Sequence, residues 1–214
     1  MAITQSKDCD LVFYTNPMSR GRIVRWMLEE VGAEYRQVLL AYDTDMKAQD
    51  YLALNPMGKV PALVHRGRVV TESAAICAYL ADAFPDAGLA PPLADRAAYY
   101  RWLFFAAGPL EAAVMDRVLQ VSVDKDQEKM VGYGTYDLTV NTLVHAVSQG
   151  DYLAGDRFTA ADVYVGSHVM WGMEYGSLPV RPEFEAYVAR LAKRPAMAAA
   201  KAIDDGLMPD SQVS

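Results

Sequence analysis

Side chains that bind transition metals are scarce in this sequence. Its three histidines, His65, His145 and His168, are scattered, and its two cysteines, Cys9 and Cys77, form no CxxC pair. The pattern excludes a zinc centre built on paired ligands and a disulfide framework. It fits a reducing, cytoplasmic setting, with both cysteines as structural thiols. Positive charge is the minority sign: 20 Lys and Arg face 27 Asp and Glu, for a net charge of -7. A nucleic-acid surface needs clustered basic residues, so that class of partner is not expected. No uninterrupted apolar run reaches the roughly 18–20 residues that cross a bilayer, and the first residues carry no signal-peptide core. There is no glycine-rich phosphate loop and no nucleophile elbow. Internal repeats are absent, and the one biased stretch is a short alanine-rich tail near Ala198.

What remains is a globular composition, 52% apolar and 22% charged over 214 residues, enough for one large domain or two modest ones. The first part alternates strand and helix patterns. Leu11–Thr15 reads as a buried strand stopped by Asn16-Pro17. Ser19 to Val31 reads as a helix capped by Ser19 and stopped by Gly32, with Ile23, Val24, Met27, Leu28 and Val31 on its apolar face. Tyr35 to Leu40 is a second strand, parallel to the first through a right-handed crossover. After a polar connection and a helical stretch over 47–55, segments 62–65 and 68–71 form a hairpin turning at Arg66-Gly67. A helix from Ser73 to Phe84 follows. The order βαβ then ββα is the thioredoxin-like arrangement. It is punctuated by Pro85 to Gly88 and Pro91-Pro92, which puts domain boundaries at 1–85 and 93–214.

From Leu93 onward the pattern is wholly helical. Ala94 to Gln120 is one long helical pattern in which Gly108-Pro109 predicts a bend or break. Tyr136 to Val147 is a further helix. Thr159 and Asp162 form a capping box at the start of another, with Phe158 and Val163 as its staple; their role is folding, not chemistry. A last helix carries Phe184, Tyr187, Val188 and Leu191.

The chain is organised around Asn55-Pro-Met-Gly-Lys-Val-Pro-Ala-Leu63 and Thr71-Glu-Ser73. A proline directly after Val60 removes a ladder N–H and biases Val60 toward extended geometry. Such a residue at a sheet edge can pair with an extended peptide from outside. The Val60–Pro61 bond is a candidate for cis. Glu72-Ser73 opens a helix whose free N–H groups and positive dipole end suit a carboxylate. Together they describe a receptor for a short acidic peptide.

These residues resemble the glutathione transferase family, whose signature is an NPxGKVPAL segment followed by a TES-type turn. The GxxFTxAD-like segment around Thr159 is similar to a second mark of that family, so the likeness covers nearly the whole chain. The resemblance implies a glutathione transferase fold: a thioredoxin-like α/β domain followed by an all-α domain. It implies attack by the glutathione thiolate on a small hydrophobic electrophile, glutathione as co-substrate, no metal, and a homodimer. A free thiol has a pKa of about 8.5, and lowering it by two units takes roughly 2.7 kcal/mol. A hydroxyl donor and a helix N-terminus can supply that. The candidates between the first strand and the first helix are Ser19, preferred because hydroxyl and dipole act together there, then Tyr14 and Asn16. The binding residues implied are Val60 and Pro61 for the cysteinyl backbone, Glu72 for the ammonium and Ser73 for the carboxylate of the γ-glutamyl end. Lys59, and more weakly Lys47, would face the glycyl carboxylate. The electrophile pocket is expected between the domains, lined by Met18, Phe104, Phe105, Gly108 and Glu111. Alternatives on the same scaffold are a glutathione-dependent isomerase or peroxidase, or a non-catalytic glutathione-binding protein. The Asn-Pro-Met-Ser turn lacks the cysteine that thiol-transferring members carry.

Overall fold

The computed structural model describes residues 10–208; Cys9 lies outside them. The described chain divides into two units. One comprises the residues up to Ala87 together with those from Pro195 onward, and the other runs from Gly88 to Arg194.

In the first unit, strands β1 (Leu11–Thr15), β2 (Arg36–Leu39), β3 (Ala62–His65) and β4 (Arg68–Thr71) form one sheet in the order β2-β1-β3-β4. The β1–β2 pair is parallel, and the β1–β3 and β3–β4 pairs are antiparallel. Strand β1 alternates: Leu11, Phe13 and Thr15 are buried, while Val12 and Tyr14 are half-buried on the opposite face. Helix α1 (Gly21–Val31) buries Ile23, Val24, Met27 and Leu28 completely, and α3 (Ser73–Ala83) buries Ile76, Cys77, Leu80 and Ala81. Between β2 and β3 lie a 3₁₀ turn over Asp45–Lys47 and the short helix α2 (Gln49–Leu54). The hairpin turns at Arg66 and Gly67, both at positive φ (52° and 73°), as a tight two-residue β-turn requires.

The position of Val60 and the C-terminal boundary differ from the expectations above. The sheet edges are β2 and β4, so Val60 does not belong to an edge strand. It stands just before the inner strand β3, whose pairing starts at Ala62. The C-terminal boundary also differs. Helix α9 (Pro195–Asp205), expected within a domain spanning 93–214, packs with α1 and groups with the first unit. A buried ion pair joins the two helices: Arg25 of α1, fully buried, donates through Nε to Oδ1 of Asp204 at 3.1 Å.

The second unit contains α4 (Ala97–Phe105), α5 (Glu111–Val118), α6 (Tyr136–Ser148), α7 (Ala160–Glu174) and α8 (Pro182–Leu191). Among its described residues the only extended pairing is an isolated bridge between Tyr152 and Gly155. No break occurs at Pro109. A π-helical turn over Ala106–Leu110 links α4 to α5, and the Glu111 N–H reaches back five residues to the Ala106 carbonyl. This wider turn accommodates the ring without ending the helix. Helix α7 is buried along most of its length and starts at the expected capping box. The Asp162 carboxylate accepts from the Thr159 N–H at 2.9 Å, from the Leu153 N–H at 2.9 Å and from the Tyr187 hydroxyl at 2.9 Å. The segment therefore ties three parts of this unit together. No described helix is long and apolar enough to cross a membrane.

Candidate active site

Sheet register decides which segments meet. Tyr14 pairs with Ala62, and Ala62 with Thr71, so these three residues form one row across β1, β3 and β4. The chain leaves or enters that end of the sheet four times: in the turn after Thr15, after Leu39, at Val60-Pro61, and at Glu72-Ser73. The expected site residues thus converge, although they are far apart in sequence.

The turn after β1 is held by its own side chains. Asn16 braces it: Nδ2 donates to the Leu40 carbonyl at 2.9 Å, while Oδ1 accepts the Met18 N–H at 2.9 Å. Its amide is therefore engaged in joining the ends of β1 and β2. Ser19 Oγ donates to the Asn16 carbonyl at 2.7 Å and accepts the Gly21 N–H at 2.9 Å. It caps the start of α1 one residue earlier than expected for an N-cap, since α1 begins at Gly21. Tyr14 faces the other side of the sheet. Its ring tilts against Tyr51, with centroids 5.6 Å apart, in a cluster that also contains Met46, Ala62 and Val60. Its hydroxyl makes no hydrogen bond among the described residues.

The segment around Val60 is fixed by groups that the sequence did not single out. The Lys59 carbonyl accepts from the Tyr51 hydroxyl at 2.6 Å and from Asn55 Nδ2 at 2.8 Å. Asn55 is buried and also accepts the Met57 N–H. Gly58, at φ +57°, has no room for a side chain, because a Cβ would lie 2.7 Å from the Met46 carbonyl. The Val60–Pro61 bond is cis. Among the described residues the Val60 N–H and C=O make no hydrogen bond. Lys59 is exposed with its ammonium unpaired among those residues, whereas Lys47 donates to the Gly58 carbonyl at 2.7 Å. A signal for Asn55 was present: an Asx residue before Pro-Met-Gly commonly orders its own turn.

Glu72 is a non-glycine residue at φ 65°. Such a conformation costs about 1–3 kcal/mol and persists where the surroundings impose it, often at a ligand site. Its carbonyl accepts the Ile76 N–H at 2.8 Å, but its carboxylate is exposed and unpaired among the described residues. Ser73 is buried at the first position of α3, and its hydroxyl likewise has no partner among them. A carboxylate, a hydroxyl and the free N–H groups of a helix start therefore occupy two adjacent residues.

Two further side chains of reactive type are buried. Cys77 is fully buried in α3, and burial pushes its thiol pKa far up, so it is no nucleophile. His65 stacks on Phe84 and shares a 3.0 Å hydrogen bond with Tyr79, and burial lowers its pKa. No cluster of His, Cys, Asp or Glu with metal-binding geometry occurs among the described residues.

Residues 18–83 match the family model of the glutathione S-transferase N-terminal domain, and residues 110–195 that of its C-terminal domain. Glutathione S-transferase GstA of Escherichia coli O157:H7 is 32% identical over 157 residues, which cover 68% of this chain and 74% of that one. The chain belongs to the glutathione S-transferase family. Glutathione S-transferase 3 of Zea mays is 30% identical over 210 residues, covering 87% of this chain and 90% of that one. Among solved structures, a glutathione transferase from Methylococcus capsulatus superposes with a TM-score of 0.75 at 27% identity, covering 92% of this chain and all of that one. A sphingomonad glutathione S-transferase complexed with glutathione gives 0.74 at 27% identity, with 92% of this chain covered and 100% of that one. The protein is thus a transferase enzyme with a thioredoxin-like unit and a helical unit. Its family-level activity is the use of glutathione.

Proposed function

We propose that this transferase binds glutathione along Lys59 to Pro61 and at Glu72-Ser73, and ionises its thiol at the Ser19 turn for attack on a small hydrophobic electrophile. The observation that supports this most is the main chain of Val60, whose donor and acceptor are both unsatisfied beside the start of α3. The cysteinyl part of the tripeptide would pair with Val60 as an added strand does. Glu72 would take the ammonium, and Ser73 with the α3 N–H groups the α-carboxylate. Lys59, with its ammonium unpaired, would face the glycyl carboxylate. A relative bound to glutathione, from a sphingomonad, supports the same ligand.

Ser19 is the preferred sulfur donor. Its proton lies on a rotor now directed at the Asn16 carbonyl. A thiolate competes well for it, because a hydrogen bond to a charged acceptor is roughly twice as strong as one to a neutral acceptor. The Gly21 N–H orients the oxygen meanwhile. Tyr14, with its free hydroxyl, is the second candidate; Asn16 is the weakest, because its amide braces the turn. The thiol proton leaves to solvent. The sulfur lone pair then forms the new C–S bond while the leaving group departs with its bonding pair. The same reading takes the protein as a cytoplasmic homodimer active in detoxification, which rests on the family.

Steady-state kinetics with 1-chloro-2,4-dinitrobenzene tests the assignment. Ser19→Ala is expected to lower kcat/KM by about tenfold or more, and Tyr14→Phe by less. A fully active Ser19→Ala protein removes Ser19 from the site.

A further inference from the structure

Arg22, in the first turn of α1, reaches in two directions. Its Nε donates to the Pro17 carbonyl, inside the turn that carries Ser19. Its Nη1 donates to Asp205 Oδ1 at 2.7 Å, across 183 positions of sequence. Asp205 closes α9, and its second oxygen accepts from Lys201 one turn earlier. Hydrogen bonds from Lys201 and Arg22 hold the Asp205 carboxyl pKa below its ordinary value. The main chain of Arg22 grips the same turn, since its N–H donates to the Ser19 carbonyl at 3.2 Å. The turn has little slack. At Gly21 a Cβ would fall 2.0 Å from Thr15 Oγ1 and 2.9 Å from Ser19 Oγ.

We propose that Arg22 and Asp205 are positioning residues of the transferase: a fork from α1, anchored by the C-terminal helix, fixes the Asn16–Ser19 turn and so sets the angle at which Ser19 meets the glutathione sulfur. This rests on the reading of Ser19 as the sulfur's donor. A guanidinium suits the task because its donors are held in one plane, so one group serves a carbonyl and a carboxylate together. The pair is partly exposed, with side chains 23% and 38% accessible, and exposed ion pairs contribute little to stability. Its value is therefore geometric, and small displacements near reacting atoms are costly in rate.

The test uses the full chain and the variants Arg22→Met, Asp205→Asn, their double and Asp205→Glu. It measures the pKa of bound glutathione by thiolate absorbance, together with kcat and KM for 1-chloro-2,4-dinitrobenzene. Each single variant is expected to raise the bound thiol pKa by about one unit and to lower kcat by about tenfold. The glutathione KM should stay within about threefold, because Val60, Glu72 and Ser73 are untouched. Asp205→Glu should restore most of kcat. The double variant should be no worse than Arg22→Met, because the two act as a unit. Wild-type thiol pKa and kcat in folded Asp205→Asn would overturn the proposal, as would additive losses in the double. If Arg22→Met does not fold, Asp205→Asn and Asp205→Glu decide the matter alone. Ser19→Ala separates the two levels: if it leaves the bound thiol pKa unmoved, the premise fails and this inference with it. If it moves the pKa while Arg22 and Asp205 variants do not, only this inference fails.

Discussion

The Lys59 carbonyl accepts two hydrogen bonds from side chains, and this holds the next residue, Val60, with its peptide groups open. Asn55→Ala removes one donor and Tyr51→Phe the other. Each hydrogen bond contributes about 1 kcal/mol, so each variant is expected to weaken glutathione about fivefold, read by titration calorimetry. Unchanged affinity in both would show that the clamp does not matter for binding. Val60, Glu72 and Ser73 could be singled out from sequence, because proline and a helix start constrain the backbone wherever they occur. Tyr51 and Asn55 could not be assigned their roles in that way. They act eight and four residues on, through a loop whose path periodicity does not encode. The bracing role of Asn16 was hidden for the same reason, since its partner Leu40 lies 24 residues away.

Helix α1 carries an apolar face that its spacing predicts, yet Arg25 on that helix is also fully buried. Nothing local marks it as buried; the cover is α9, from the other end of the chain. Its guanidinium lies 5.1 Å above the Phe13 ring and donates to the Tyr35 hydroxyl at 2.9 Å as well as to Asp204. Asp204→Ala would leave that charge buried without its counter-ion. It is expected to cost about 3–5 kcal/mol, seen as a lower urea midpoint at unchanged slope. A joint replacement, Arg25→Met with Asp204→Leu, should cost less. Tyr35 adds a pH dependence. Burial pushes its pKa up to about 12, against the pull of Arg25. A raised pKa means that the folded protein holds the phenolic proton more tightly than the unfolded chain, which loses it near about 10. The contribution of Tyr35 is therefore complete below pH ~10 and is lost as pH rises through about 12. Tyr35→Phe should flatten the fall in urea midpoint across that window; an unaltered fall would assign it elsewhere. The helical pattern over 94–120 was readable as well. The way Pro109 is absorbed was not, because a π turn differs from a kink only in which carbonyl the next N–H finds.

Across the whole molecule, short motifs far apart in sequence meet at one end of the sheet. The βαβ and ββα halves fix a four-stranded sheet, and its register brings the turn after β1, Val60-Pro61 and Glu72-Ser73 to one end. The order of elements was legible from alternation and from proline and glycine punctuation. The inner position of β3 and the return of α9 to the first unit were not, because both depend on contacts between distant segments. The proposed site combines an open stretch of main chain, a helix start and a hydroxyl in a braced turn. In that proposal the three together bind an acidic thiol tripeptide and make it reactive. The most direct measurement is a pH titration of glutathione bound to the intact protein, followed by thiolate absorbance. On the proposed reading, half-ionisation falls about two units below the free thiol's value of about 8.5 and moves back toward it in Ser19→Ala. Bound glutathione that ionises no earlier than free glutathione, or no binding at millimolar tripeptide, would contradict it.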